Sequence, residues 1–268
     1  ADRDPGSEAP LCRCSAEARK DSVRREGPNT GRTYWHCATR KCDFFCWADR
    51  VQVQAWQMTW RRISEPVVVT DFGFRAADLR QGGVGDCWFL SALAVVAERH
   101  DLILKLFAGG CERRPSGCYL LRFFLDGQWT CVVVDDSFPC TDKQRRPDGT
   151  GLAYSRASCK QLWVPLIEKA YAKSHGSYKA ISGGHVAEAL HDLTGAPVET
   201  LDFDAAGFDP ERLWKQLLYF RRSGFPMGCG TVGNPELEQV GLFGMHAYSI
   251  LDVREVRDSS QAFRGGLE

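Results

Sequence analysis

Cys87 has the most distinctive chemical setting in this chain. It follows the turn Gln81-Gly82-Gly83-Val84-Gly85-Asp86 and opens an apolar pattern at helical spacing through Leu90, Leu93, Ala94 and Ala97. The spacing predicts a helix that begins at the thiol. Unpaired backbone N–H groups and the positive end of the helix dipole there favour thiolate over thiol. Position alone leaves a structural thiol as the alternative, since cysteine is commonly a small buried hydrophobe. Far downstream, His246 leads the strand-like run Ala247-Tyr248-Ser249-Ile250-Leu251-Asp252-Val253. A nucleophile and base distant in sequence and joined by the fold are what thiol catalysis requires. A second constellation lies near the N-terminus: Cys12 and Cys14, then Cys37 and Cys42. Two close pairs of thiolates suit a closed tetrahedral zinc site, and a segment this short has little apolar mass to fold without one.

The elements that must position these groups are legible in outline. Val67 to Phe74 reads as a strand running into a turn ahead of Cys87. Tyr119–Leu125 and Gln128–Val134 flank Asp126-Gly127 as a hairpin. Leu162–Lys173 reads as a helix with Pro165 near its first turn, and Asp209-Pro210-Glu211 starts another with Leu213, Leu217 and Leu218 on one face. Asp135-Asp136 ends a strand and starts a turn. His175, His185 and His191 lack the flanking sequence of a catalytic base.

Composition bounds the answer more loosely. The chain has 268 residues, 44% of them hydrophobic, enough for one large or two moderate domains. Lys+Arg 34 against Asp+Glu 34 leaves no net charge, so any attraction to nucleic acid must come from a local patch. No apolar run approaches the ~20 residues of a membrane helix, and the polar start Ala1-Asp2-Arg3-Asp4 lacks a signal-peptide core. A soluble intracellular protein of cytoplasm or nucleus is expected, with its 12 cysteines serving as metal ligands and a nucleophile rather than as disulfides.

The string Q-G-x-x-G-D-C-W-F-L-S-A-L closely resembles the active-site segment of calpains, calcium-dependent papain-like cysteine proteases. Leu162 to Ala172 with His175-Gly176-Ser177-Tyr178, and the H-A-Y-S of residues 246–249, resemble the family's next landmarks. The resemblance spans about Val67 to Val256 and leans to the small-optic-lobes branch. It implies an α+β papain-like core, with Cys87 as nucleophile, His246 as general base, and Gln81 with the Cys87 N–H binding the oxyanion. It also implies protein substrates and a calcium ion held by the carbonyls of Asp71 and Gly73 and the carboxylates of Asp78 and Glu188, the oxygen-only set calcium favours. One departure concerns the R-N-P-W-G segment whose asparagine orients the imidazole in calpains: the chain ends at Glu268 without it. The expectation from this is a weak or inactive chain, with a non-catalytic zinc-finger and calpain-like interaction protein as the alternative.

Gly27 to Arg32, Tyr34-Trp35-His36-Cys37 and Cys42-Asp43-Phe44-Phe45-Cys46-Trp47 resemble a GRF-type zinc finger, which assigns zinc to Cys12, Cys14, Cys37 and Cys42 and omits Cys46. Arg19, Lys20, Arg24, Arg25, Arg32, Arg40 and Lys41 stand among Tyr34, Trp35, Phe44 and Trp47, a mixture that suits single-stranded nucleic acid. The alternative is that these rings form the finger's own core and the cations are solvated. The expected organisation is a disordered 1–10, the finger at 11–50, a linker at 51–66 that docks on the next domain, the helical protease half with the nucleophile at 67–196, and the β-rich half with the histidine at 197–268, short of its later strands.

Overall fold

The computed structural model describes residues 18–24, 30–31, 33–39, 45–47, 58–141, 150–233 and 235–256. The chain divides into two units, Ala1–Met58 and Thr59–Glu268.

The first unit contains an antiparallel sheet of β1 (Ala18–Ser22), β2 (Thr33–Cys37) and β3 (Phe45–Trp47), in the order β1-β2-β3. Lys20 lies opposite Trp35, with its Nζ 5.6 Å from the ring centroid. Among the described residues of this unit, Ala18 and Cys37 are the buried ones.

The second unit is organised around α1 (Cys87–Ala97). Its sequence W-F-L-S-A-L-A-V-V-A is apolar on nearly every side, so the helix is buried all round rather than along one stripe. Around it pack α2 (His100–Leu106), α4 (Val186–Thr194) and the short sheet of β10 (Met227–Gly230) and β11 (Ala247–Ile250). α3 (Trp163–Ser174) lies on the hairpin of β6 (Cys118–Leu125) and β7 (Gln128–Asp135). In that hairpin Asp126 and Gly127 have φ of 50° and 78°, the two left-handed positions of a tight turn that matches strand twist. α4 stops at Gly195, left-handed at φ 71°, whose N–H returns to the His191 carbonyl at 2.7 Å. α5 (Pro210–Arg222) begins as expected, with the Asp209 carboxylate accepting from the Glu211 and Arg212 N–H groups.

Two segments differ from the sequence-based expectation or extend it. Val67 to Phe74 is not a strand. Val67 makes a single bridge to Gln161, and the Val67 and Val68 carbonyls accept from the Leu162 and Trp163 N–H groups. Those amides open α3 and have no partner within the helix, so they take the carbonyls a neighbouring strand would have used. Within the stretch expected to link the domains, Thr59–Arg62 forms β4, antiparallel to β8 (Ser137–Cys140), and just ahead of the nucleophile loop β5 (Leu79–Arg80) pairs antiparallel with β9 (Arg156–Ala157).

Candidate active site

The loop before Cys87 is pinned from both sides. Gly83 N–H donates to the Ala153 carbonyl at 2.8 Å, and Gly183 N–H donates to the Gly85 carbonyl at 2.9 Å. Gly82 presses so closely on this frame that a Cβ there would lie 2.0 Å from the Tyr154 carbonyl oxygen. Gly82→Ala is therefore expected to lower stability by about 1–3 kcal/mol and to displace the loop. Urea unfolding checks the first effect, and a fall in the alkylation rate of Cys87 relative to the other thiols checks the second.

Cys87 is a half-buried free thiol in the first turn of α1, and the first bond of that helix runs from Leu90 N–H to the Asp86 carbonyl at 3.0 Å. The next residue anchors the turn: Trp88 is buried and its Nε1 donates to the Ile181 carbonyl at 2.9 Å. One turn further on, Ser91 Oγ donates to the Ala247 carbonyl at 3.0 Å, while Ser249 Oγ donates to the Ser91 carbonyl at 2.9 Å. These two bonds clip α1 to β11. His246 immediately precedes that strand, so the thiol and the imidazole sit on elements fastened together one helical turn from the first and one residue from the second.

Around His246 the backbone is fixed by Thr231. The His246 N–H donates to Thr231 Oγ1 at 3.1 Å, and Thr231 N–H donates to the His246 carbonyl at 2.9 Å. The half-buried imidazole stands edge-to-face with Tyr248 (4.9 Å, 81°) and Phe243 (6.2 Å, 78°). Among the described residues no hydrogen bond reaches its ring nitrogens. Gln81 is exposed, and its Nε2 donates to the Val84 carbonyl at 3.0 Å and lies 3.5 Å from Asp86 Oδ1. The amide is thus held within the loop that delivers the thiol.

The four residues expected to hold calcium fall into two groups. Asp71 is exposed, and Gly73 (φ 74°) turns the chain with its N–H on the Thr70 carbonyl at 2.9 Å. Asp78 is 3% exposed and fully engaged: Arg75 donates to both carboxylate oxygens at 2.9 and 3.0 Å, and Gln161 Nε2 donates to Oδ2 at 3.2 Å. Those bonds hold its carboxyl below the usual range in spite of the opposing effect of burial. Glu188, exposed on α4, groups with His175 and Asp192, their ligand atoms lying within 4.8 Å of one another. Asp192 Oδ2 accepts from the Tyr171 hydroxyl at 2.7 Å, and His175 Nδ1 donates to the Tyr171 carbonyl at 2.9 Å. The i, i+4 spacing of Glu188 and Asp192 was a visible signal for this cluster; nothing local to His175 announces it.

Of the expected zinc ligands, Cys37 ends β2 as a buried thiol, 3.3 Å from Thr39 Oγ1. Cys12, Cys14 and Cys42 lie outside the described residues.

Sequence reading also missed a pair of buried carboxyls beneath the nucleophile. Asp86 and Glu168 of α3 are both 0% exposed and in side-chain hydrogen-bond contact. Burial pushes Asp86 up to about 6, and burial with the adjacent Asp86 charge pushes Glu168 well above its ordinary value.

Comparison with known proteins shows the family of the chain. The family model for calpain family cysteine proteases matches residues 41–264, and that for the GRF zinc finger matches residues 10–51. The calpain-type cysteine protease DEK1 of Zea mays is 42% identical over 187 residues, 68% of this chain and 8% of that protein. Calpain-A of Drosophila melanogaster is 34% identical over 188 residues, 68% of this chain and 22% of its own length. The calpain-1 catalytic subunit of Rattus norvegicus is 32% identical over 213 residues, 77% of this chain and 28% of that protein. The chain thus spans less than a third of each of these relatives, and over that span it belongs to the calpain family of cysteine proteases.

Proposed function

We propose that this chain carries the catalytic core of an intracellular, calcium-dependent cysteine endopeptidase that cuts folded proteins at limited sites. The observation that carries the reading is the clip between α1 and β11, which fastens a thiol at a helix N-terminus to the strand that His246 leads. In the reaction, Cys87 Sγ attacks the peptide carbonyl as His246 takes the thiol proton, and the imidazolium returns that proton to the departing amine. Water then attacks the thioester with His246 again as base, releasing the acid and restoring the thiol. The Cys87 N–H and one N–H of the Gln81 amide stabilise the oxyanion in both steps.

Asp71, Gly73, Asp78 and Glu188 offer the oxygen donors that suit calcium and would hold it, and the ion would supply positive charge to that set. Asp78, however, has a resident cation. Arg75 is half exposed, with its guanidinium 5.4 Å from the Phe72 ring, and can swing away from Asp78 at small cost. Arg75→Ala is expected to lower the calcium concentration for half-maximal reaction severalfold. A peptidyl epoxide that alkylates Cys87, titrated with calcium in the protein expressed from its full coding sequence, reads this directly. Labelling only with calcium, and at lower calcium in the variant, supports the proposal. Equal labelling in chelator removes the calcium switch, and no labelling at any calcium level replaces the endopeptidase with the non-catalytic interaction protein.

For the finger, the same reading places one zinc ion on Cys12, Cys14, Cys37 and Cys42. Its support is that Cys37 is a buried thiol at the end of β2, in a unit whose match to the GRF zinc finger covers residues 10–51. Lys20 over Trp35 on the face of that sheet is the kind of cation and ring pair that stacks single-stranded nucleic acid, which we take as the finger's partner.

A further inference from the structure

The proposed reaction makes no use of the buried carboxyls beneath Cys87, yet their chemistry demands a role. Asp86 Oδ1 faces Gln81 Nε2 at 3.5 Å, and both Glu168 oxygens accept from the Ser155 N–H at 3.1 Å. Asp86 Oδ2 is fully buried and accepts from no protein donor. The side chains of Asp86 and Glu168 act on each other directly, and two carboxylates offer each other acceptors only. Among the described residues, the groups that act most strongly on the two carboxyls include no cationic side chain. The other titratable neighbours are Tyr154 and Tyr178, stacked at 4.0 Å, both pushed up by burial and the Glu168 charge and so neutral. Two bare negative charges buried side by side cost far more than retaining a proton.

We propose that Asp86 and Glu168 share a single proton, Glu168 donating it to Asp86 Oδ2, and that the resulting acid–carboxylate pair positions the Gln81 amide for the oxyanion. The first half stands on the burial of the two carboxyls and the unpartnered Asp86 Oδ2; the second rests on the endopeptidase reading above. With one proton, Asp86 keeps its charge on Oδ1 and holds one N–H of Gln81 Nε2 by a charge-assisted bond, so that the other N–H, which rests on the Val84 carbonyl at 3.0 Å in the free protein, is the one turned to the oxyanion. With no proton the carboxylates repel, and the loop between them and Cys87 shifts. Asp86 and Glu168 are positioning residues in this scheme, since neither touches the substrate.

The sign of the pH dependence follows from the direction of the two shifts. Both carboxyls are raised in the folded protein, Asp86 to about 6 and Glu168 well above its ordinary value. Their contribution to stability is complete below the ordinary carboxylate range and is lost as pH rises through the raised values. Each retained proton changes the folding constant up to tenfold per pH unit over that window. Glu168→Gln supplies a permanent donor to Asp86 Oδ2 and an oxygen for Ser155, so it should flatten the dependence by one proton and preserve the loop.

Three readouts test this on the whole chain. Infrared spectroscopy at neutral pH should show a buried protonated-carboxyl band that Glu168→Gln removes. The side-chain amide resonance of Gln81, assigned with Gln81→Ala, should move with alkaline pH in the parent protein and stay fixed in Glu168→Gln. The rate of Cys87 labelling by a peptidyl epoxide, divided by its rate with iodoacetamide, should fall severalfold with the same midpoint in the parent alone. If the infrared band is missing, the shared proton is overturned. If the band is present but the Gln81 resonance is indifferent to pH and to Glu168→Gln, the positioning role is overturned and the pair is structural. A chain that never reacts with the epoxide refutes the endopeptidase reading instead, and the infrared and resonance measurements still decide the proton and the amide.

Discussion

Alanine in place of His246 is expected to slow acylation of Cys87 by ~10²–10⁴-fold, the range for removing a positioned general base. Stability should fall by only about 1 kcal/mol. The ring nitrogens carry no hydrogen bond among the described residues, and what is lost is contact with Tyr248 and Phe243, where an aromatic pair is worth about 0.5–1.5 kcal/mol. The strand survives because Thr231 grips the backbone of residue 246 and the Ser91–Ser249 clip uses main-chain carbonyls, none of which the substitution touches. Single-turnover kinetics against pH provide the check. The parent and His246→Ala profiles should differ in shape as well as in rate. A variant with unchanged rate and profile would mean that another group takes the thiol proton. Tyr248 supplies a second comparison, since its hydroxyl accepts from the Phe243 N–H at 2.6 Å and so holds the edge against which the imidazole rests.

What could be read in the sequence was mostly local. A Gly-rich entry followed by an almost unbroken apolar run fixed α1 and put Cys87 in its first turn, and Asp126-Gly127 fixed the hairpin because few residues besides glycine and aspartate tolerate two successive left-handed positions. Asp209-Pro210 did the same for α5 through its cap. What escaped the sequence depends on partners distant along the chain. Val67 and Val68 look like a strand, yet their carbonyls are taken by α3, about a hundred residues later, and no local pattern encodes that. Thr59–Arg62 gives no sign of its pairing with Ser137–Cys140. The site shows the same division. Cys87, His246 and Gln81 stood out through their flanking residues, whereas Asp86 and Glu168 look like ordinary surface acids until the fold buries them together. Ser91 and Ser249, which hold the two halves of the site in contact, are ordinary in sequence for the same reason.

Tyr171→Ala should be the most damaging single change in the second unit. The ring is 0% exposed, stacks on Phe89 at 4.1 Å, and meets Phe123 and Trp88 edge-on at 5.3 and 5.9 Å. Removing an aromatic of this kind costs about 3–5 kcal/mol, against the 5–15 kcal/mol typical of a whole domain. Tyr171→Phe separates packing from polarity. It keeps the ring and deletes the hydroxyl that donates to Asp192 Oδ2 at 2.7 Å, leaving a buried carboxylate without that donor at a cost of about 1–3 kcal/mol. Burial raises Asp192 and the Tyr171 bond opposes the rise, so losing the bond drives the carboxyl higher still. The Phe variant's deficit should therefore be small at acid pH, where Asp192 is protonated in folded and unfolded chains alike, and should grow as pH rises through the carboxylate range. Urea unfolding of both variants at acid and neutral pH makes the comparison, and a Phe deficit of equal size at the two values would show that the hydroxyl does not serve an ionised Asp192. Because Trp88 and Phe89 carry the turn that presents Cys87, the Ala variant should also slow epoxide labelling under conditions where it remains folded. The Phe variant, which leaves that turn packed, should label at the parent rate.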